Sequence, residues 1–378
     1  MSAPGAASDL RRALEDIRAV DHHAHLLARG GVTFDLEELL TESSNPDQIS
    51  QVREHPAYLR AVRDVSTLLG VVDPDASSIS AERRRIGHDR HARMLLDACG
   101  LEEMLVDDGF VFPGAMSLED HAAFVGCGVR RIVRIEALAE ASAEGWPSFA
   151  GAVERFRASL HGSLASGAAG LKTIAAYRGG LDLTAVDAAQ AGAAYERWRG
   201  SGSRRLAEPA LVSFFLEEAL VVARETRVPL QIHTGFGDTD LVLHRSDPSL
   251  LRPLLQDPRN ASVPIVLLHC YPYVRNASYL ASVYPNVHLD LSLAVTFVPH
   301  RAAALLLEAL DLAPATKLLF ASDASRSAEL FFLGATWWRD ALSGALGGLV
   351  DDGVIDQEAA MRWAGLILGG NARRIYAR

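Results

Sequence analysis

The sequence is poor in the features that would place it outside the ordinary globular enzymes. Three cysteines, Cys99, Cys127 and Cys270, are spread over 378 residues. They are too few and too unevenly spaced for a disulfide framework, so a reducing compartment, the cytoplasm, is expected. Basic charge is also short, with 37 Lys and Arg against 47 Asp and Glu. Nucleic-acid binding needs a basic face that displaces phosphate counterions, so no nucleic-acid partner is expected. No apolar run reaches the roughly 18 residues of a membrane span, and Arg339 and Asp340 interrupt the most apolar late segment. The opening residues carry no apolar stretch of the signal-peptide kind, and no membrane association is expected. A Gly-x-Gly-x-x-Gly loop is absent, so Gly179, Gly180, Gly235 and Gly237 read as turn glycines. With 49% hydrophobic residues and only 16 prolines, the chain is neither disordered nor collagenous.

What is present is an alternation of short apolar runs and longer helical patterns. Strand-like runs stand near 17–21 and at 103–106, 129–135, 170–174, 228–233, 263–269, 286–291 and 317–322. Helical spacing marks 148–166, 208–226, 301–312 and 326–345. Strands separated by helices imply parallel βαβ units, and eight of them is the number that closes a (β/α)8 TIM barrel. The fold class is therefore α/β, with an open doubly wound sheet as the competing architecture. Helical patterns at 56–70 and 81–98 predict a helical insertion of about 30–100 after the first strand. The whole chain, 1–378, reads as one barrel carrying that insertion.

Several of the runs end in a residue able to bind a metal. Asp21-His22-His23-Ala24-His25 ends the first; alternation puts His23 and His25 on one side of a strand. Lys172, His233, His269 and Asp323 end four others. A lone histidine ending a strand is most often a hydrogen-bonded core residue, and an Asp there is as often a helix cap. The ordered set is what carries weight. In a barrel the carboxyl ends of all strands open on one mouth, and the six side chains would meet around a shared cation.

These residues and their neighbours resemble the amidohydrolase superfamily, within it the amidohydrolase-related group. The matching segments are V-D-H-H-A-H, G-L-K-T-I-A-A-Y-R-G-G-L, Q-I-H-T-G, L-L-H-C-Y-P-Y, F-A-S-D-A and G-G-N-A-R-R-I-Y. The wording around Lys172, His269 and Asp323 is similar to the domain fused to glutamine-synthetase-like domains in nodulin-like and fungal proteins. The resemblance implies that His23, His25 and Asp323 hold one metal and that His233 and His269 hold a second. In two-metal members the equivalent of Lys172 is carboxylated and bridges both ions; a carbamate supplies an anion where an ammonium would be repelled. In mononuclear relatives His23, His25, His233 and Asp323 hold one ion, His269 serves the substrate, and Lys172 is a simple ammonium. Zinc leads among the candidate metals, with manganese and iron as alternatives for these N and O donors.

The implied activity is hydrolysis of a C–N bond, an amide of the γ-glutamyl or N-acyl amino-acid kind, by a metal-bound hydroxide. Asp323 would move the proton to the leaving amine, and His269 would assist. The second reading on the same fold is a mononuclear isomerase or decarboxylase of a sugar or aromatic acid. A silent scaffold is the reading from another class, and its signature, a lost ligand, is missing. Tyr177 and Arg178 follow Lys172, and Tyr271, Tyr273 and Arg275 follow His269; they are the candidates for binding a small carboxylate-bearing substrate. The bland alternative pairs Arg178 and Arg275 with acids of the chain itself. Arg134 and Glu136 are lesser candidates. His55, His88, His91 and His121 read as surface or insertion residues, and Cys270 as packing. Apolar character in the insertion and in 326–345 allows a homodimer.

Overall fold

The computed structural model describes residues 6–145 and 148–377. The chain divides into two compact units, one of Met1–Val106, Phe110–Val129 and Leu291–Arg374, the other of Asp107–Gly109, Arg130–Asp290 and Ile375–Arg378.

In the first unit, strand β1 (Ala19–Ala24) pairs in parallel with β2 (Leu101–Asp107). Every residue of β1 is buried, polar ones included. The register slips after Ala19 and again between Asp21 and Ala24, so the histidine end of β1 leaves the regular ladder. Between the two strands the chain is helical, with Pro56–Leu69, Ala76–Ile86 and His88–Ala98 the longest helices. The expected helix over 81–98 is in fact two. Gly87 divides them at φ +90°, a conformation that side-chain-bearing residues avoid. The long helix Ala328–Asp351 packs against Ala6–Ala13, His88–Ala98 and Ala302–Leu310. Its Phe331, Leu333, Trp337 and Trp338 are buried in this unit, which removes them from any exposed apolar face.

The eighth expected strand, 317–322, is not one. Lys317 closes the turn Ala315–Lys317, and the residues after it lie beside β1 without forming a ladder. His22 N–H donates to the Phe320 carbonyl at 3.3 Å and Asp323 N–H to the His23 carbonyl at 3.0 Å. Between them the Ser322 N–H is taken by the Asp21 side chain rather than by the backbone of β1. A side-chain acceptor has replaced a ladder bond.

The second unit holds β3 (Gly128–Arg134), β4 (Gly170–Thr173), β5 (Leu230–His233), β6 (Ile265–Leu268) and β7 (Val287–Leu289), paired in parallel in sequence order. One aligned row, Leu171, Leu230, Ile265 and Val287, crosses four of them without a slip. These strands are buried along their length, which is why they read as continuous apolar runs. Gln231, polar and fully buried in β5, donates its amide to the Tyr376 hydroxyl at 2.9 Å. The helices Phe149–Ala165 and Pro209–Thr226 occupy the stretches expected of them.

Candidate metal centre

The first unit brings three of the expected ligands together. His23 Nε2 lies 3.1 Å and His25 Nε2 3.2 Å from the same oxygen, Oδ1 of Asp323. The two imidazoles meet edge to face with centroids 5.0 Å apart. His23 is fully buried, and His25 and Asp323 are nearly so. Ligand bonds of about 2.0–2.2 Å to one divalent ion put neighbouring donor atoms about 2.9–3.4 Å apart, and each imidazole stands at such a spacing from the carboxylate oxygen.

Backbone and side-chain bonds hold the cluster in place. Asp323 stands at φ +52°, sparsely populated for a residue other than glycine, fastened by its N–H bond to β1. Asp21, at the middle of β1, accepts from the Ser322 hydroxyl at 2.5 Å and the Ser322 N–H at 3.0 Å. Burial raises the Asp21 carboxyl to about 6 although both Ser322 bonds pull it down.

The second unit positions the others at the carboxyl ends of its parallel strands. Lys172 lies in β4 and is 2% exposed. His233 ends β5 and His269 follows β6, with ring centroids 4.4 Å apart; the Tyr177 ring is 4.5 Å from that of His233. His269 and Cys270 are at φ +67° and +61°, two successive left-handed residues. The turn is secured by Asp290, just past β7, which accepts the His269 N–H at 2.8 Å. Glu136 braces the end of β4: it accepts from the Thr173 hydroxyl at 2.5 Å and the Ile174 N–H at 3.0 Å, and burial raises its pKa. Cys270 is buried, and burial pushes its thiol up, which suits a packing residue rather than a nucleophile.

The expected substrate residues divide. Tyr177 lies against His233 and crosses Gly237, where a Cβ would run into its hydroxyl. Tyr271 packs on Phe236 and gives its carbonyl to the Phe236 N–H at 2.8 Å. Arg178, by contrast, is drawn to Glu140 at 3.4 Å, and Tyr273 donates its hydroxyl to the Leu243 carbonyl at 3.0 Å. Arg275 is exposed on the helix Val274–Val283. Arg134 forks onto Asp107, at the end of β2, with contacts of 2.7 and 3.0 Å. Two of the histidines read as surface or insertion residues are buried: His91, within the insertion, lies beside Glu329, and His121 accepts the Leu27 N–H at 3.1 Å. Asp21, Asp107 and Asp290 were not anticipated. Each stands beside an apolar run, and that position was the available signal.

A parallel α/β chain in which a histidine pair at the end of the first strand faces a largely buried aspartate has the makings of a metal-dependent enzyme. The chain belongs to the amidohydrolase family: the family model described as Amidohydrolase matches residues 139–378. It is an enzyme of the amidohydrolase type. Over 98% of its length it is 30% identical to Protein fluG of Emericella nidulans, and it spans about half of that protein, 47%. Its structure matches that of a Lactobacillus casei ATCC 334 protein assigned as a metal-dependent hydrolase, with a TM-score of 0.90, 31% identity and 97% of both chains covered. The uronate isomerase of Thermotoga maritima shares the fold, with a TM-score of 0.74 and 16% identity over 98% of this chain and 97% of the isomerase. Among the described residues, no helix is long and apolar enough to cross a membrane.

Proposed function

We propose that this chain hydrolyses a C–N bond, an amide of the γ-glutamyl or N-acyl amino-acid kind, in a small carboxylate-bearing molecule. The observation that carries the reading is the convergence of His23 and His25 on one oxygen of Asp323 in an amidohydrolase chain. The full ligand set proposed is His23, His25, Lys172, His233, His269 and Asp323, on a barrel-like parallel α/β fold. Two zinc ions are favoured, with Lys172 carboxylated. The burial of Lys172 supports this, since a desolvated ammonium beside divalent cations is doubly disfavoured.

A divalent cation held there supplies Lewis acidity, polarising a carbonyl and lowering the pKa of water toward ~7. The protein supplies the rest. Asp323 Oδ1 is the acceptor nearest both imidazoles and would receive the proton of the attacking water and deliver it to the leaving amine. Asp21 through Ser322, and Asp290 through the His269 N–H, hold those side chains to one geometry before substrate arrives. Tyr177 beside His233 and Tyr271 are assigned to substrate positioning. Three thiols without disulfides support a reducing cytoplasm.

The test is a screen of purified protein for amine release from N-acyl and γ-glutamyl amino acids, with uronates and aromatic acids as controls. Amine release abolished by chelator and restored by zinc is expected. Isomerisation or decarboxylation of the controls without amine release would replace this reading by the mononuclear one.

A further inference from the structure

Arg326 stands three residues beyond Asp323 and is pinned by its backbone. Its N–H donates to the Leu26 carbonyl at 2.9 Å, and its carbonyl accepts the Ala28 N–H at 2.8 Å. These bonds hold it at φ +67°, a conformation that residues with a side chain seldom adopt. The backbone bonds set the direction in which the side chain leaves the main chain. The guanidinium lies over two rings of the same unit, 5.8 Å from the Phe34 centroid and 6.0 Å from that of Phe110.

Phe110 also packs on His25, centroids 5.3 Å apart, and on Phe112 at 5.9 Å; Phe112 meets Phe34 at 6.2 Å. The result is an aromatic wall that begins at His25 and ends under a cation. The Arg326 side chain has one long hydrogen bond, Nε to Ser325 Oγ at 3.4 Å, and among the described residues it forms no ion pair. Arg178 differs in being drawn to Glu140. Ring contacts occupy the flat faces of a guanidinium and leave its in-plane N–H edge for a bidentate partner.

We propose that Arg326, with Phe34, Phe110 and Phe112, is the specificity wall of the site: Arg326 takes the substrate's carboxylate, and the rings take an apolar, preferentially aromatic, group beside it. The proposal rests on the reading of His25 and Asp323 as part of the reaction centre and names the substrate class for it. A hydrated cation over half-buried rings gains little on its own. A carboxylate that displaces that water gains charge-assisted hydrogen bonds, while its apolar substituent covers the wall.

The test is calorimetric binding of three probes to the purified, metal-loaded full chain: 3-phenylpropanoate, 3-phenylpropanamide and acetate. The wild type should bind 3-phenylpropanoate at least about tenfold more tightly than either of the others. Arg326→Met should bring the acid down to the level of the amide, and Arg326→Lys, which keeps the charge but loses the fork, should fall between. Phe110→Ala should bring 3-phenylpropanoate toward acetate. Equal binding of acid and amide by the wild type overturns the proposal. So does an acid preference that survives in Arg326→Met at unchanged metal content, because the metal alone would then account for it. Amine release is read separately. Hydrolysis without this binding pattern removes the wall alone, whereas the pattern without hydrolysis removes the hydrolase reading alone.

Discussion

Asp21 and Ser322 lie 301 positions apart in the chain, yet Ser322 donates both its N–H and its hydroxyl to the Asp21 carboxylate, at 3.0 and 2.5 Å. The pair ties the middle of β1 to the residue before Asp323, and Asp323 itself bonds back to the His23 carbonyl. Ser322→Ala leaves a buried carboxylate oxygen without that donor, at a cost of about 1–3 kcal/mol. We expect a lower unfolding free energy in urea together with lower turnover, and Ser322→Thr should recover part of both. Wild-type stability in Ser322→Ala would show that the bond is incidental.

Asp323→Asn keeps the shape of the side chain and removes its proton-accepting charge. If Asp323 moves the proton, turnover should fall by about 10²–10⁴ with a small change in substrate affinity. Steady-state kinetics on whichever amide the screen identifies decides this. Turnover within a few fold of wild type contradicts the role.

Gly235 lies two residues past His233 at φ +76°, with the Tyr271 carbonyl packed where a Cβ would project. Gly235→Ala combines backbone strain with a clash against rigid main chain, so a loss of about 2 kcal/mol or more is expected in urea unfolding. The loops after β5 and β6 would part, and substrate affinity should change with them. A neutral substitution would mean that the two loops are not held together in solution.

His121 supplies a pH dependence. Burial lowers its pKa from 6.5 to about 4, and its Nδ1 accepts the Leu27 N–H, which only the neutral ring can do. Between pH 6.5 and 4 the unfolded chain binds a proton that the folded chain refuses. The stability this group provides is therefore complete above pH 6.5 and is lost as pH falls through about 4, by up to about 3 kcal/mol. His121→Asn offers an acceptor that does not titrate and should flatten unfolding free energy against pH across that window. An unchanged slope assigns the titration elsewhere.

Much of this molecule is legible in its sequence because the candidate ligands sit where apolar runs stop. Seven of the eight strand-like runs contain strands, with ends displaced by a few residues. His23, His25, His233, His269 and Asp323 announce themselves by residue type at those ends. Their supports do not. The partners of Asp21, Asp290 and Glu136 are backbone N–H and hydroxyl groups far away in sequence, and no periodicity encodes such a bond. For the same reason residues 317–322 read as a strand: the apolar pattern is there, but a carboxylate from β1 takes one of the donors a ladder would use. Arg326 escapes notice because a single arginine after F-A-S-D-A has no visible meaning until the rings of Phe34 and Phe110 are under it. The burial of His121 is likewise a tertiary fact, since it directly follows the exposed Glu119 and Asp120 in its helix, Leu118–Val125.

The central claim is that His23, His25 and Asp323 hold a divalent ion that the reaction needs. Elemental analysis of purified wild type beside a His23→Asn/His25→Asn double variant, each checked by circular dichroism for retained fold, tests it most directly. We predict one or two equivalents of divalent metal, zinc foremost, per wild-type chain, and a loss of at least one equivalent in the double variant. Metal content that is the same in both proteins, or a wild type that hydrolyses its substrate with no metal bound, would contradict the account.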